Sequence, residues 1–77
     1  MKDLIEYLAR ALVDDPDAVR VESYEDEDGT VVYELHVAED DVGKVIGRSG
    51  RTVNALRAVV RAAAMREGRR VLVDVVD

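Results

Sequence analysis

The sequence predicts an α+β fold: a three-stranded mixed sheet with three helices on one face, in the order α-β-β-α-α-β. Three observations predict it. Apolar residues recur at helical spacing in some stretches and alternate or run in Val-rich blocks in others. A glycine-closed turn joins the first two strand-like segments directly. The third follows only after a helical stretch, so it is reached by a crossover and pairs in parallel if it lies beside the second. At 77 residues the chain reads as one domain, 1–77, with no linker, repeat or low-complexity tract.

Leu4, Ile5, Leu8, Ala11 and Leu12 share one helical face, so residues 2–13 read as an amphipathic helix. Asp14-Asp15-Pro16 ends it, because the residue before proline is pushed out of the helical region. Residues 18–25 alternate Val19, Val21 and Ser23 against Arg20, Glu22 and Tyr24, the pattern of a half-buried strand. Asp26-Glu27-Asp28-Gly29 reads as a solvated hairpin turn. Residues 30–38 place Val31, Tyr33, Leu35 and Val37 on one face of a second strand. The opposite face is expected to be partly wet, with Arg20, Glu22, Glu34, His36 and Asp74 on it.

Glu39-Asp40-Asp41 offers caps for a short helix over residues 41–46, since acidic groups favour a helix N-terminus. Gly47 to Gly50 interrupts it. Ser49 reads as the N-cap of a long helix over residues 50–67, and Gly68 as its terminator. Val53, Leu56, Val59, Val60, Ala63 and Ala64 cluster on the face expected to meet the sheet. Residues 70–76 form a Val-rich third strand.

Composition excludes several function classes. There is no Cys, so disulfide, thiol and zinc-thiolate chemistry are absent. The longest apolar run is four residues, Ala62 to Met65, too short for a membrane span or a signal-peptide core, and the expected compartment is the cytoplasm. A chain this short buries only roughly 60% of its unfolded surface, which disfavours a large catalytic cleft. Charge is segregated. Residues 1–43 carry 14 acidic and 3 basic side chains. Residues 44–70 carry 8 basic side chains against Glu67 alone, so a polyanion-attracting segment sits inside a chain of net charge −6.

The informative string is G-K-V-I-G-R-S-G-R-T, Gly43 to Thr52. A bare G-x-x-G arises by chance in roughly a third of chains this long. Val-Ile immediately before it lowers that to roughly one chain in several hundred. Two glycines between helices remove Cβ atoms, so a sugar-phosphate backbone can approach the main chain. The following helix presents unpaired N–H groups and a positive dipole end. Lys44, Arg48 and Arg51 surround it, and Val45 and Ile46 offer an apolar floor for bases.

This arrangement resembles a type II KH domain, and in particular the small stand-alone bacterial KH proteins of the KhpA group. The resemblance covers nearly the whole chain, with Val45 to Thr52 as the matched motif. In KH domains the G-x-x-G turn holds the backbone of about four nucleotides. The resemblance places that contact on Gly47, Arg48, Ser49 and Gly50, supported by Lys44, Arg51 and Thr52. It further implies cytoplasmic binding of single-stranded RNA, a homodimer, and a heterodimer with a larger multi-domain KH-containing protein (KhpB, also called Jag or EloR). With these come RNA chaperoning and control of cell elongation and cell-wall synthesis. The acidic first half departs from a simple RNA-binding composition.

Along the long helix, Arg57 and Arg61 stand at i,i+4 and cannot pair with each other, so they need an anion, water or a protein interface. Ala58, Ala62 and Met65 form a smooth strip suited to a dimer contact, which supports an alternative reading as a dimerisation module with a vestigial RNA groove. Catalysis is not expected. Ser49 lacks the second glycine of a nucleophile elbow, because Arg51 stands there, and the single histidine, His36, lies upstream on a strand. The glycine spacing matches neither a dinucleotide fingerprint nor a P-loop. Asp14, Asp15 and Asp17 crowd around Pro16 and do not follow calcium-loop spacing. No cofactor or metal is expected. Tyr7, Tyr24 and Tyr33 all lie outside the motif, so aromatic base stacking is not indicated.

Overall fold

In the computed structural model, which describes residues 1–76, the elements follow the predicted order. They are α1 (Lys2–Leu12), β1 (Arg20–Glu25), β2 (Val31–His36), α2 (Val42–Ile46), α3 (Arg51–Arg66) and β3 (Val71–Val76). Short 3₁₀ turns at Pro16–Ala18, Glu39–Asp41 and Arg48–Gly50 fill three of the junctions. The first strand starts two residues later than its alternation suggests, because Pro16 and its neighbours form a turn.

The sheet order is β1-β2-β3, with β1 antiparallel and β3 parallel to the central β2. Register explains the two faces. Val21, Leu35 and Val75 line up across the strands on the helix side, followed by Ser23, Tyr33 and Val73. On the open side the rows are Arg20–His36–Val76, Glu22–Glu34–Asp74 and Tyr24–Val32–Leu72. Val32 is buried even there, consistent with cover from its two large cross-strand neighbours. Glu22 pairs with Arg20 at 3.3 Å and lies 3.1 Å from His36 Nε2, which makes no hydrogen bond. The hairpin turn is held by Gly29 in the left-handed region and by N–H donation from Thr30 to Asp28 Oδ1 at 3.0 Å. That bond, with the Thr30 hydroxyl, holds the Asp28 carboxyl at about 2.

The core gathers Ile5 and Ala9 from α1, Val21, Tyr33, Leu35 and Val73 from the sheet, Val45 from α2, and Leu56 and Val60 from α3. One expected core member is displaced. Val59 is 48% exposed, because α3 meets the sheet along Val53, Leu56, Val60 and Ala64. Ser23 is also exposed, on the expected inner row of β1. No helix among the described residues is long and apolar enough to cross a membrane.

Asp41 departs most from its local reading. It occupies the N-cap position of α2 yet makes no capping bond there. Its carboxylate, 2% exposed, instead accepts the N–H groups of Asp14 at 3.2 Å and Asp15 at 3.0 Å. This ties the end of α1 to the start of α2. Burial pushes the Asp41 carboxyl up, but the two N–H donors and Lys44 outweigh it and leave the group below its ordinary value. A depressed carboxyl stabilises the fold above its unfolded value of 3.8 and loses that contribution as pH falls through the lower folded value. We therefore expect acid unfolding below about pH 4 to be blunted in Asp41→Asn, which should also melt several degrees lower at neutral pH. Thermal melts followed by circular dichroism across pH check both; an Asn variant with an unchanged acid profile would remove Asp41 from this role.

Candidate nucleic-acid interface

The corner between α2 and α3 begins where Gly47 donates its N–H to the Gly43 carbonyl at 2.9 Å. Gly47 then adopts φ 75°, ψ 174°, a region open in practice to glycine alone. Ser49 (φ 55°) and Gly50 (φ 75°) follow in the left-handed region. Ser49 is therefore not the N-cap of α3; Gly50 holds that position, with no side-chain cap. The serine hydroxyl, freed from capping, sits exposed at the tip beside Arg48.

The glycines serve different ends. A Cβ on Gly47 would lie 2.7 Å from Thr52 Cβ and 2.9 Å from Thr52 N, so the first glycine is demanded by packing inside the corner. A Cβ on Gly50 would meet only Asn54 Nδ2, at 3.7 Å, so there the backbone angle is the constraint. The expectation that both glycines simply clear space for a ligand is corrected for Gly47, whose Cβ position is filled by Thr52. Thr52, within the matched motif, buttresses the turn from behind.

Side chains around the corner divide in the same way. Arg48 and Arg51 are exposed and pair with no carboxylate among the described residues. Lys44, expected as a third free cation, forms an ion pair with Asp14 and lies 3.5 Å from Asp41. The Asp14 hydrogen bond raises its ammonium above the ordinary value despite some desolvation, with both carboxylates adding to the shift. Val45 is fully buried in the core, so it cannot form a base-contacting floor; Ile46, half-buried, is the apolar residue at the corner. Among the described residues, the N–H groups of Arg48 and Ser49 find no backbone acceptor in the preceding helix.

Arg57 and Arg61 also part company. Arg57 Nε donates to the Val73 carbonyl at 3.0 Å, pinning α3 to β3, which fixes the guanidinium but leaves it without a carboxylate partner among the described residues. Arg61 is exposed with no carboxylate partner among the described residues. Ala58, Ala62 and Met65 are all exposed. An apolar groove that spacing did not reveal lies elsewhere on α3. It measures about 240 Å³ and is lined by Leu8, Ala11 and Leu12 of α1 with Ala55, Leu56 and Val59.

These geometries predict unequal glycine substitutions. Gly50→Ala should lower stability by about 1 kcal/mol, the strain of one left-handed residue. Gly47→Ala should lower it by about 3 kcal/mol, since overlap with Thr52 adds to the backbone strain. Urea unfolding of the two variants checks the order; equal losses would mean that Thr52 yields.

The family described as KhpA/KhpB, KH domain, matches residues 2–75. RNA-binding protein KhpA of Halalkalibacterium halodurans is 53% identical over 77 residues, covering 100% of both chains. RNA-binding protein KhpA of Mycobacterium tuberculosis is 51% identical over 75 residues, covering 97% of this chain and 89% of that one. In solved structures the fold is similar to part of Era in complex with MgGDPNP and nucleotides 1506–1542 of 16S ribosomal RNA. The TM-score is 0.66 at 18% identity, over 96% of this chain and 28% of the longer Era chain, a likeness of fold alone. With its full-length matches and its G-x-x-G corner between two helices, this chain belongs to the KhpA/KhpB family of KH domains.

Proposed function

We propose that the chain binds single-stranded RNA, with limited base preference and without catalysis, by holding the strand's backbone against the Gly47–Gly50 corner. The observation that carries this reading is the exposed turn itself, with two glycines, main-chain N–H groups and the unpaired Arg48 and Arg51 together. Relatives named RNA-binding protein KhpA support it over the full length of the chain. Arg48 and Arg51 neutralise phosphates, and Ile46 offers an apolar edge to a base. Lys44 contributes less, because Asp14 and Asp41 already hold it. By family resemblance the cellular role is that of a cytoplasmic RNA chaperone or post-transcriptional regulator tied to cell elongation and cell-wall control. Pairing with a larger KH-containing protein of the KhpB type belongs to the same reading, and the family description spans both proteins.

The double variant Arg48→Asp with Ser49→Asp places two negative charges where a phosphate would lie, on exposed residues. It should abolish binding of a short oligouridylate while leaving the circular dichroism spectrum unchanged. In the unmodified chain, two neutralised phosphates should give a slope of about −1.4 for log affinity against log salt. Retained binding in the double variant would refute the corner as the contact.

A second reading, self-association, is favoured by the apolar groove between α1 and α3, where Val59 and Leu12 remain exposed. In this reading two copies meet along α3. The alanine strip of Ala58 and Ala62 with Met65 is the other candidate face. Val59→Arg should lower the sedimentation coefficient if the groove is the contact, and Ala62→Arg if the strip is. A coefficient unchanged by both would remove α3 from the interface.

A further inference from the structure

At the far end of α3 from the glycine corner lies a cavity of about 390 Å³ lined by Thr30, Arg61, Met65, Arg69, Arg70 and Leu72, with Val71 between the last two. Its chemistry is uneven in an informative way. No acidic residue lines it, although the chain carries a net charge of −6. Arg70 is already engaged, donating to the Asp28 carbonyl at 3.2 Å and lying 3.8 Å from the Asp28 carboxylate. Arg61 and Arg69 have no carboxylate partner among the described residues. Beside these cations Met65 is 74% exposed, and Val71 is the apolar lining residue on the helix side of β3. An exposed apolar side chain flanked by unpaired guanidiniums suits a ligand that alternates anionic and flat apolar groups.

The cavity is continuous with the corner. Arg51, Asn54, Ala58, Arg61 and Met65 succeed one another by three and four residues, so they share one side of α3, and all five are exposed. That side runs from the Gly47–Gly50 turn to the cavity along a helix of 16 residues, about 24 Å. No acidic side chain interrupts it on the helix, where the sequence from Arg51 to Arg66 contains none.

We propose that the cavity at the C-terminal end of α3 is a second contact for the same polynucleotide strand. Arg61 and Arg69 take phosphates there, and a base lies on Met65. The bound strand thus exceeds the four or so nucleotides that a glycine corner holds. This rests on the RNA-binding reading of the corner and extends it along the helix.

Fluorescence anisotropy with oligouridylates of about four and about ten nucleotides tests it, in the unmodified chain, in the double variant Arg61→Ala with Arg69→Ala, and in the double-Asp corner variant. A ten-nucleotide strand offers a four-nucleotide site about seven registers, so only a gain beyond about sevenfold counts. The distal variant should weaken the longer strand by about tenfold and reduce its salt slope by about 1.4, with the shorter strand unaffected. Longer-strand binding that ignores the distal variant overturns the proposal. So does salt-sensitive self-association that disappears in that variant on sedimentation, because the occupant would then be the acidic half of a second copy. If the double-Asp variant holds both strands as tightly as the unmodified chain while the distal variant weakens the longer one, the corner reading fails and the distal contact stands. If the unmodified chain binds neither strand, both fail. Arg61→Lys with Arg69→Lys keeps the charges, and should restore most of the salt slope if phosphates are the ligands.

Discussion

Everything distinctive in this small fold turns on the contact between Gly47 and Thr52. No Cβ fits there, and the backbone angles at Gly47 exclude other residues. The constraint fixes a sharp bend between α2 and α3. With that bend in place, Val45 from the short helix and Leu56 and Val60 from the long one enter one core. The same bend turns Arg48, Ser49 and Arg51 outward together. Core packing and an exposed, cationic turn are thus two sides of one steric requirement. A softer corner would lose both at once.

Charge segregation survives folding instead of cancelling. Lys44 is drawn into the Asp14 and Asp41 pair, and Arg70 approaches Asp28, so two cations of the basic segment face the acidic half. Arg48, Arg51, Arg61 and Arg69 have no such partner among the described residues. They lie at both ends of α3 and along one side of it. The chain as a whole is acidic, yet α3 itself, from Arg51 to Arg66, carries no acidic side chain. On the proposed reading, the acidic residues of the first half would restrict where a nucleic acid could lie.

Local rules misled at identifiable places. Asp41 looks like a helix cap because it precedes a helix in a run of acidic residues, yet its oxygens satisfy two N–H groups more than twenty residues upstream. Ser49 looks like a cap by residue type, but its left-handed backbone moves the cap to Gly50. Arg57 looks mobile by its spacing from Arg61, but a strand carbonyl anchors its Nε. Val59 has the right period for the core, but lies at the margin of a helix whose buried stripe is narrow. In each case the missing information was which distant group comes close, which periodicity does not carry.

What the amino-acid order determined alone is everything that depends on neighbours along the chain. Helical and alternating periods set the six elements, Gly29 turns the hairpin and Gly68 follows the end of α3, both left-handed, and the V-I-G-R-S-G-R-T string announced the corner. What the tertiary structure decided is the fate of side chains whose partners are remote in sequence. It withdrew Val45 into the core and Lys44 into an ion pair, and gave Gly47 an internal reason to be glycine. It also gathered Thr30, Arg61, Arg69 and Leu72 from two strand ends, a helix and a loop. Short-range preference is written residue by residue, whereas desolvation and pairing exist only once the chain has closed on itself.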